Sequence, residues 1–324
     1  MDPQRFLELL HNIVDYVLLH PVHASRICEE LVDSWILVDT STWQIYVLAE
    51  LGTELGKCSD AVVERFSTKP REGVPYMVAA NRIDAVARWV RSIVDPGKSL
   101  GIHTGYVSAQ LFNVLNASMR VIDVSRILDK AFARRSVEEI RLFEELADYA
   151  RKLLDEIRTA TNPLEALARR FVEDPHVFDL RHSYVRRRGD VASIRVALRR
   201  NHVLLVFEHS VGRGMEDVVE RSWAALRESV KVLRSYVDGP CDRAVNALIS
   251  SIRRYGIDLV DLEVSGCCTE LGEYPTLEDM VYEEDCRLPN PTTLFVRIEV
   301  GTARGTVSIG TTAVITSQQC YALV

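Results

Sequence analysis

The residues with chemistry to offer gather in the last third of the chain. Cys267 and Cys268 are adjacent thiols, Glu273 follows within Leu271-Gly272-Glu273-Tyr274-Pro275, and Glu299 closes the apolar run Leu294–Glu299. Adjacent thiols can act as a soft ligand pair or a redox element. Carboxylates can hold a pair of divalent ions that bridge and acidify a water. A thiol nucleophile needs an imidazole beside it. The histidines restrict all of these: the eight are His11, His20, His23, His103, His176, His182, His202 and His209, so none lies beyond position 209. The seven cysteines include no Cys-x-x-Cys pair, which excludes a zinc ribbon or a thioredoxin-type site. They read as reduced, buried small hydrophobes.

Positioning such groups takes a substantial scaffold, and the chain supplies one. Its 324 residues suit two domains, and 47% hydrophobic and 26% charged residues are the proportions of a soluble globular protein. A net charge of −7 argues against nucleic acid as the main partner, despite the basic spots Arg186-Arg187-Arg188 and Arg199-Arg200. No apolar run reaches the roughly 20 residues that span a bilayer, so a cytoplasmic location is expected. Residues 4–19 have helical spacing of Phe6, Leu9, Leu10, Ile13, Val14 and Val17. Strands are expected at 34–39 and 43–51, a hairpin arm at 72–80, a helix at 82–94, and then an alternating pattern through Ser99–Ile102, Val107–Leu115 and Arg120–Val124. Ser136-Val137-Glu138-Glu139 is a capping box opening a long helix, and Asn162-Pro163 caps the next. Strands at 176–179, 191–198 and 203–207 precede helices at 215–236 and 241–255, and the tail from Asp258 is strand-rich.

The spacing of Gly266, Glu273, Pro275, Glu299 and Gly301 resembles the active-site end of the creatinase/aminopeptidase, or pita-bread, metallopeptidases, in the two-domain Xaa-Pro dipeptidase type. Trp43–Val47, Lys98–Ile102, Val121–Val124 and Ser136–Ile140 fall where that family has characteristic runs, so the resemblance covers nearly the whole chain. It implies an α+β architecture: a smaller creatinase-like α/β domain over 1–134 and a pita-bread domain of curved antiparallel sheet and helix pairs over 135–324. It also implies that the chemistry has been replaced. The family's five metal-ligand positions read Phe207, Asp217, Cys267, Glu299 and Gly310, and a substrate-side His position reads Gly272.

On this resemblance the di-metal site is lost, and no metal or other cofactor is expected. The expected function is that of a non-catalytic homologue binding a peptide or protein ligand, forming a homodimer, and using neither nucleic acid nor membrane. The alternative is a rewired Xaa-Pro dipeptidase or creatinase-like hydrolase with a reduced site of Asp217, Glu299 and Cys267, its catalytic candidates being Cys267 and Glu273 and His209 the one histidine near the site. A third reading is an inactive partner of an active paralogue. Asp217 is expected as a helix-start acid, Phe207 as bulk where a metal sat, and Glu299 as the partner of an arginine such as Arg195, Arg297 or Arg304.

Overall fold

The structure is a computed structural model describing residues 9–28, 33–53, 61–69, 76–267 and 271–324. The chain forms two compact units, Met1–Ala131 and Phe132–Val324, where the sequence places the division after residue 134.

The first unit holds a seven-stranded mixed sheet with strands β1 (Tyr16–Leu19), β2 (Trp35–Asp39), β3 (Ile45–Glu50), β4 (Val62–Ser67), β5 (Met77–Val78), β6 (Ser99–Ile102) and β7 (Arg120–Asp123), ordered β5-β4-β3-β2-β1-β6-β7. Helices α1 (Pro21–Ile27), α2 (Arg82–Ile93), α3 (Ala109–Asn116) and α4 (Ser125–Phe132) connect them. Trp89 and Val86 of α2 pack with Leu18, Leu37, Leu48 and Leu100 in one core. The helix expected over 4–19 is wrong at its end. Tyr16-Val17-Leu18-Leu19 is buried throughout as a strand between antiparallel β2 and parallel β6. A short apolar run fits a helix face or a central strand equally well. Asp15 decides for the strand, because its carboxylate accepts from Ser99 N and from Lys98 Nζ at the start of β6. The expected hairpin arm also needs correction: Met77–Val78 pairs in parallel with β4, and residues 72–75 lie outside the described residues.

The second unit wraps helices around one side of a large antiparallel sheet. The Ser136 capping box opens α5 (Val137–Thr159), and Asn162 caps α6 (Pro163–Glu173). Then come β8 (Tyr184–Arg188), β9 (Val191–Arg200), β10 (Val203–Gly212), α7 (Glu216–Val230), α8 (Cys241–Arg253), β11 (Leu259–Cys267), β12 (Leu271–Glu273), α9 (Leu277–Tyr282), β13 (Thr292–Thr302), β14 (Gly305–Ile315) and β15 (Cys320–Ala322). The sheet order is β12-β11-β13-β14-β10-β9-β8, with β15 on β14. The strand expected at 176–179 is instead a 3-10 turn, Pro175–Val177, followed by a single bridge from Phe178 to Leu198. Pro175 has no N–H to give a ladder.

The cysteines depart from expectation. Cys241 and Cys286 form a disulfide with Cα atoms 5.5 Å apart, and Cys28 is also disulfide-bonded, whereas Cys267 and Cys320 are free and buried. The backbone brings the pair together, since Cys241 N donates to Cys286 O and Pro240 bridges Arg287. No helix among the described residues is long and apolar enough to cross a membrane.

Candidate functional site

Alternation along a strand sends successive side chains to opposite faces of the large sheet. The face turned to the helices is apolar, with Leu205, Phe207, Val296 and Ile298 packing against Trp223 of α7 and Leu248 of α8. The other face carries charge. The pairing register aligns Tyr184, Arg195, Glu208, Gly310, Arg297 and Glu263 in one row across β8, β9, β10, β14, β13 and β11. The sheet curls until parts of this row meet across the hollow. Arg195 Nη2 lies 2.8 Å from Glu263 Oε2, although β10, β14 and β13 separate their strands.

Within the hollow each carboxylate is held by guanidinium groups. Glu208 Oε2 accepts from Arg195 Nε at 2.8 Å and from Tyr184 Oη at 3.2 Å. Arg297 is the hub: it donates from Nε to Glu263 at 2.7 Å, from Nη2 to Asp261 at 2.8 Å, and from Nη1 to Glu299. The second oxygen of Glu299 accepts from Arg188 Nη1 at 2.8 Å, with Arg186 3.7 Å from the first. Thus Arg186, Arg188, Arg195 and Arg297 balance Glu208, Asp261, Glu263 and Glu299. Arg195, Glu208, Arg297 and Glu299 are all buried, where unpaired charges would cost several kcal/mol each. The Arg195 guanidinium is sandwiched between the rings of Tyr184 and Phe295, 4.9 and 4.8 Å from their centroids. Burial works to raise the Glu263 pKa, but hydrogen bonds from Arg195 and Arg297 outweigh it and hold the group below the ordinary carboxylate value. Burial, then the charge of Glu208, pushes the Tyr184 phenol up to about 12.

Of the residues singled out in the sequence, Glu299, Gly310 and Cys267 lie on this face. Gly310 accommodates an aromatic lid, because a Cβ there would sit 2.8 Å from Phe295 Cζ. Cys267 is fully buried among Ala197, Leu204, Val206 and Phe295 and donates its thiol to Leu204 O at 2.9 Å. Burial, then the Glu273 charge, raises its pKa to about 12, so it is no nucleophile at neutral pH. Cys268 lies outside the described residues.

Phe207 does not fill the hollow. It faces the helix-side core, and its neighbour Glu208 presents a carboxylate to the hollow instead. The Cys-His pairing fails for the same reason: His209 shares Phe207's face, where its Nδ1 accepts from Trp223 Nε1 at 3.0 Å. Asp217 is an exposed acid in the first turn of α7, on the helix side of the sheet. Glu273 pairs with Arg135 at 2.9 Å, and Gly266 opposite it has no room for a side chain, since a Cβ would meet Glu273 O at 2.6 Å. Arg304 turns away from Glu299 and donates to Arg213 O. Arg186, Arg188, Asp261 and Glu263 were missed. Their signal was the period of two in Asp261-x-Glu263, Arg297-x-Glu299 and Arg186-x-Arg188, which gives each strand one charged face.

A di-metal hydrolytic site needs carboxylates open to cations and an imidazole to complete coordination. These residues do not fit that demand. A dication would have to displace buried guanidinium groups, and the described part of the hollow supplies no histidine. Among the described residues no group of three or more His, Cys, Asp or Glu side chains is placed to hold a metal ion.

No family model and no curated protein matches the sequence. Solved structures match its shape over almost the whole chain. They include a prolidase from Pyrococcus furiosus, at 15% identity and TM-score 0.71, covering 98% of each chain. The Xaa-Pro dipeptidase from Bacillus anthracis is similar at 13% identity and TM-score 0.73, covering 99% of this chain and 97% of that one. The N-terminal domain of the FACT complex subunit SPT16 from Cicer arietinum is similar at 12% identity and TM-score 0.61, covering 99% and 96%. The chain therefore has the pita-bread fold of the creatinase/aminopeptidase structures, with a smaller α/β unit preceding the curled sheet.

Proposed function

We propose that this protein is a non-catalytic relative of the Xaa-Pro peptidases that binds a peptide or protein partner. One observation carries the reading: the carboxylates in the hollow of the sheet are neutralised by Arg188, Arg195 and Arg297. A charge-balanced hollow of this kind supports the reading, since among the described residues it offers neither an open set of carboxylates for a cation nor an activated nucleophile. The similar structures include a domain of the FACT complex subunit SPT16 beside the prolidases, which supports use of this fold outside hydrolysis, by analogy of fold alone. The protein acts as a homodimer in this reading, and light scattering at micromolar concentration checks that. We place it in the cytoplasm; the buried Cys241–Cys286 bridge is shielded there from small thiols, both residues being 1% exposed.

The test is hydrolysis of Xaa-Pro dipeptides by the purified chain with added manganese or cobalt. Wild type and Glu299→Ala should both match the protein-free blank. Wild-type turnover that Glu299→Ala abolishes would establish a rewired hydrolase instead.

A further inference from the structure

A second concavity lies on the helix side of the same sheet, away from the charged hollow. It is a cleft of about 680 Å³ where the ends of β9 and β10 meet the C-terminal end of α5 and the first turn of α7. That volume suits a small ligand. Among its lining residues is His209, whose side chain is buried at 3% exposure. Because His209 Nδ1 accepts from Trp223 Nε1, which can only donate, the neutral ring must carry its proton on Nε2. Among the described residues nothing hydrogen-bonds that Nε2–H. Burial, and then the nearby charge of Arg158, lower the His209 pKa to about 4, so the ring is a neutral donor throughout the physiological range.

Arg158 stands on the wall of the cleft. It reaches Glu220 through Nη2, and its Nε and Nη1 make no hydrogen bond to the described residues. A free N–H on a largely buried ring and a guanidinium on the wall together call for an acceptor that is small and anionic, such as a carboxylate. The rest of the lining argues against a polyanion. Arg158, Arg187 and Arg213 are matched by Asp190, Glu216 and Glu220, so the cleft has no net charge. Asp190 and Glu216 instead offer partners for a cationic group on the same ligand.

We propose that this cleft binds a small zwitterion of the α-amino-acid type, its carboxylate on His209 and Arg158 and its ammonium on the rim acids. The site is separate from the hollow and does not depend on whether the protein is a peptidase.

The experiment is calorimetric titration of the full chain at neutral pH with L-leucine, L-glutamate and L-lysine. N-acetyl-L-leucine, L-leucinamide and inorganic phosphate serve as controls. At least one free amino acid should bind with a dissociation constant below about 1 mM. Removing either charge from leucine, in the acetyl or the amide form, should weaken its binding by roughly tenfold or more, the scale of one charged hydrogen bond. His209→Phe keeps a ring against Trp223 and removes the donor. Arg158→Gln removes the guanidinium at a partly exposed site and spares the core. Each should weaken binding by roughly tenfold or more. Absence of saturable heat for every amino acid, phosphate binding as tight as theirs, or an unchanged affinity in Arg158→Gln would each overturn the proposal.

Discussion

Arg297 is the most informative residue to remove, because three carboxylates converge on it. Its guanidinium serves Glu263, Glu299 and Asp261, and its side chain is 9% exposed. Arg297→Met keeps the packing of the stem but strips the charge. Breaking a buried pair from one side costs about 3–5 kcal/mol, because the orphaned charge stays buried. Two features reduce that figure here. Glu263 keeps Arg195 at 2.8 Å, and Glu299 keeps Arg188 at 2.8 Å, although Arg188 is 42% exposed and correspondingly weak. Asp261, at 52% exposure, adds little. The expected loss is therefore about 3 kcal/mol. For a unit of this size that is a fall of roughly 6–12 °C in Tm. Arg297→Lys should recover only part of it, since one ammonium cannot serve three carboxylates in the fork geometry of arginine. Thermal unfolding by circular dichroism measures both variants. Buried pairs are poorly screened, so the deficit should persist at about 1 M salt. A Met variant within about 1 °C of wild type, or a deficit that vanishes with salt, would refute the account of the hollow as a buried, mutually dependent network.

Acid should destabilise the fold between about pH 4 and pH 2. Asp179 is buried, yet hydrogen bonds from Arg181 and Arg199 outweigh that burial and hold its pKa at about 2, and Glu263 is also depressed. A depressed carboxylate contributes stability above its unfolded pKa and loses it as pH falls through the folded value. For Asp179 this amounts to about 2 kcal/mol, so Asp179→Asn should flatten the acid limb of a Tm-against-pH curve and lower its neutral plateau. The disulfide makes a separate prediction. Cys241 and Cys286 are 45 residues apart in sequence, and loop-closure entropy gives about 4 kcal/mol for that span. Cys286→Ala should then lower Tm clearly, and thiol titration of unfolded, unreduced wild type should detect neither Cys241 nor Cys286.

Much of the fold was legible because period and punctuation agreed. The capping box at Ser136, the Asn162-Pro163 start and the strand-rich tail each met a structure that satisfied the same local physics. Two kinds of information were not local. Tyr16–Leu19 has a helix-compatible pattern, and only its place between β2 and β6 makes it a strand. The site suffered from the same limit in a sharper form. Assigning a ligand position to Phe207 rather than Glu208 is a shift of one residue, and in a strand one residue exchanges the two faces. Glu299 was recognisable from its run, and Arg297 stands two residues away on the same face of β13, but its other partner Arg188 becomes a neighbour only through the curl of the sheet. Arg304, close to Glu299 in sequence, turned the other way. Cys241 and Cys286 carried no spacing signal for a disulfide, since their pairing depends on the contact of Pro240 with Arg287.

The central claim is that guanidinium groups have taken the place of metal ions in this fold. Elemental analysis tests it most directly, on protein incubated with manganese, cobalt or zinc and then dialysed. The account predicts far less than one ion per chain for each metal, with no change when Glu299 is replaced by alanine. About one or more ions per chain, retained through dialysis and lost in Glu299→Ala, would contradict it.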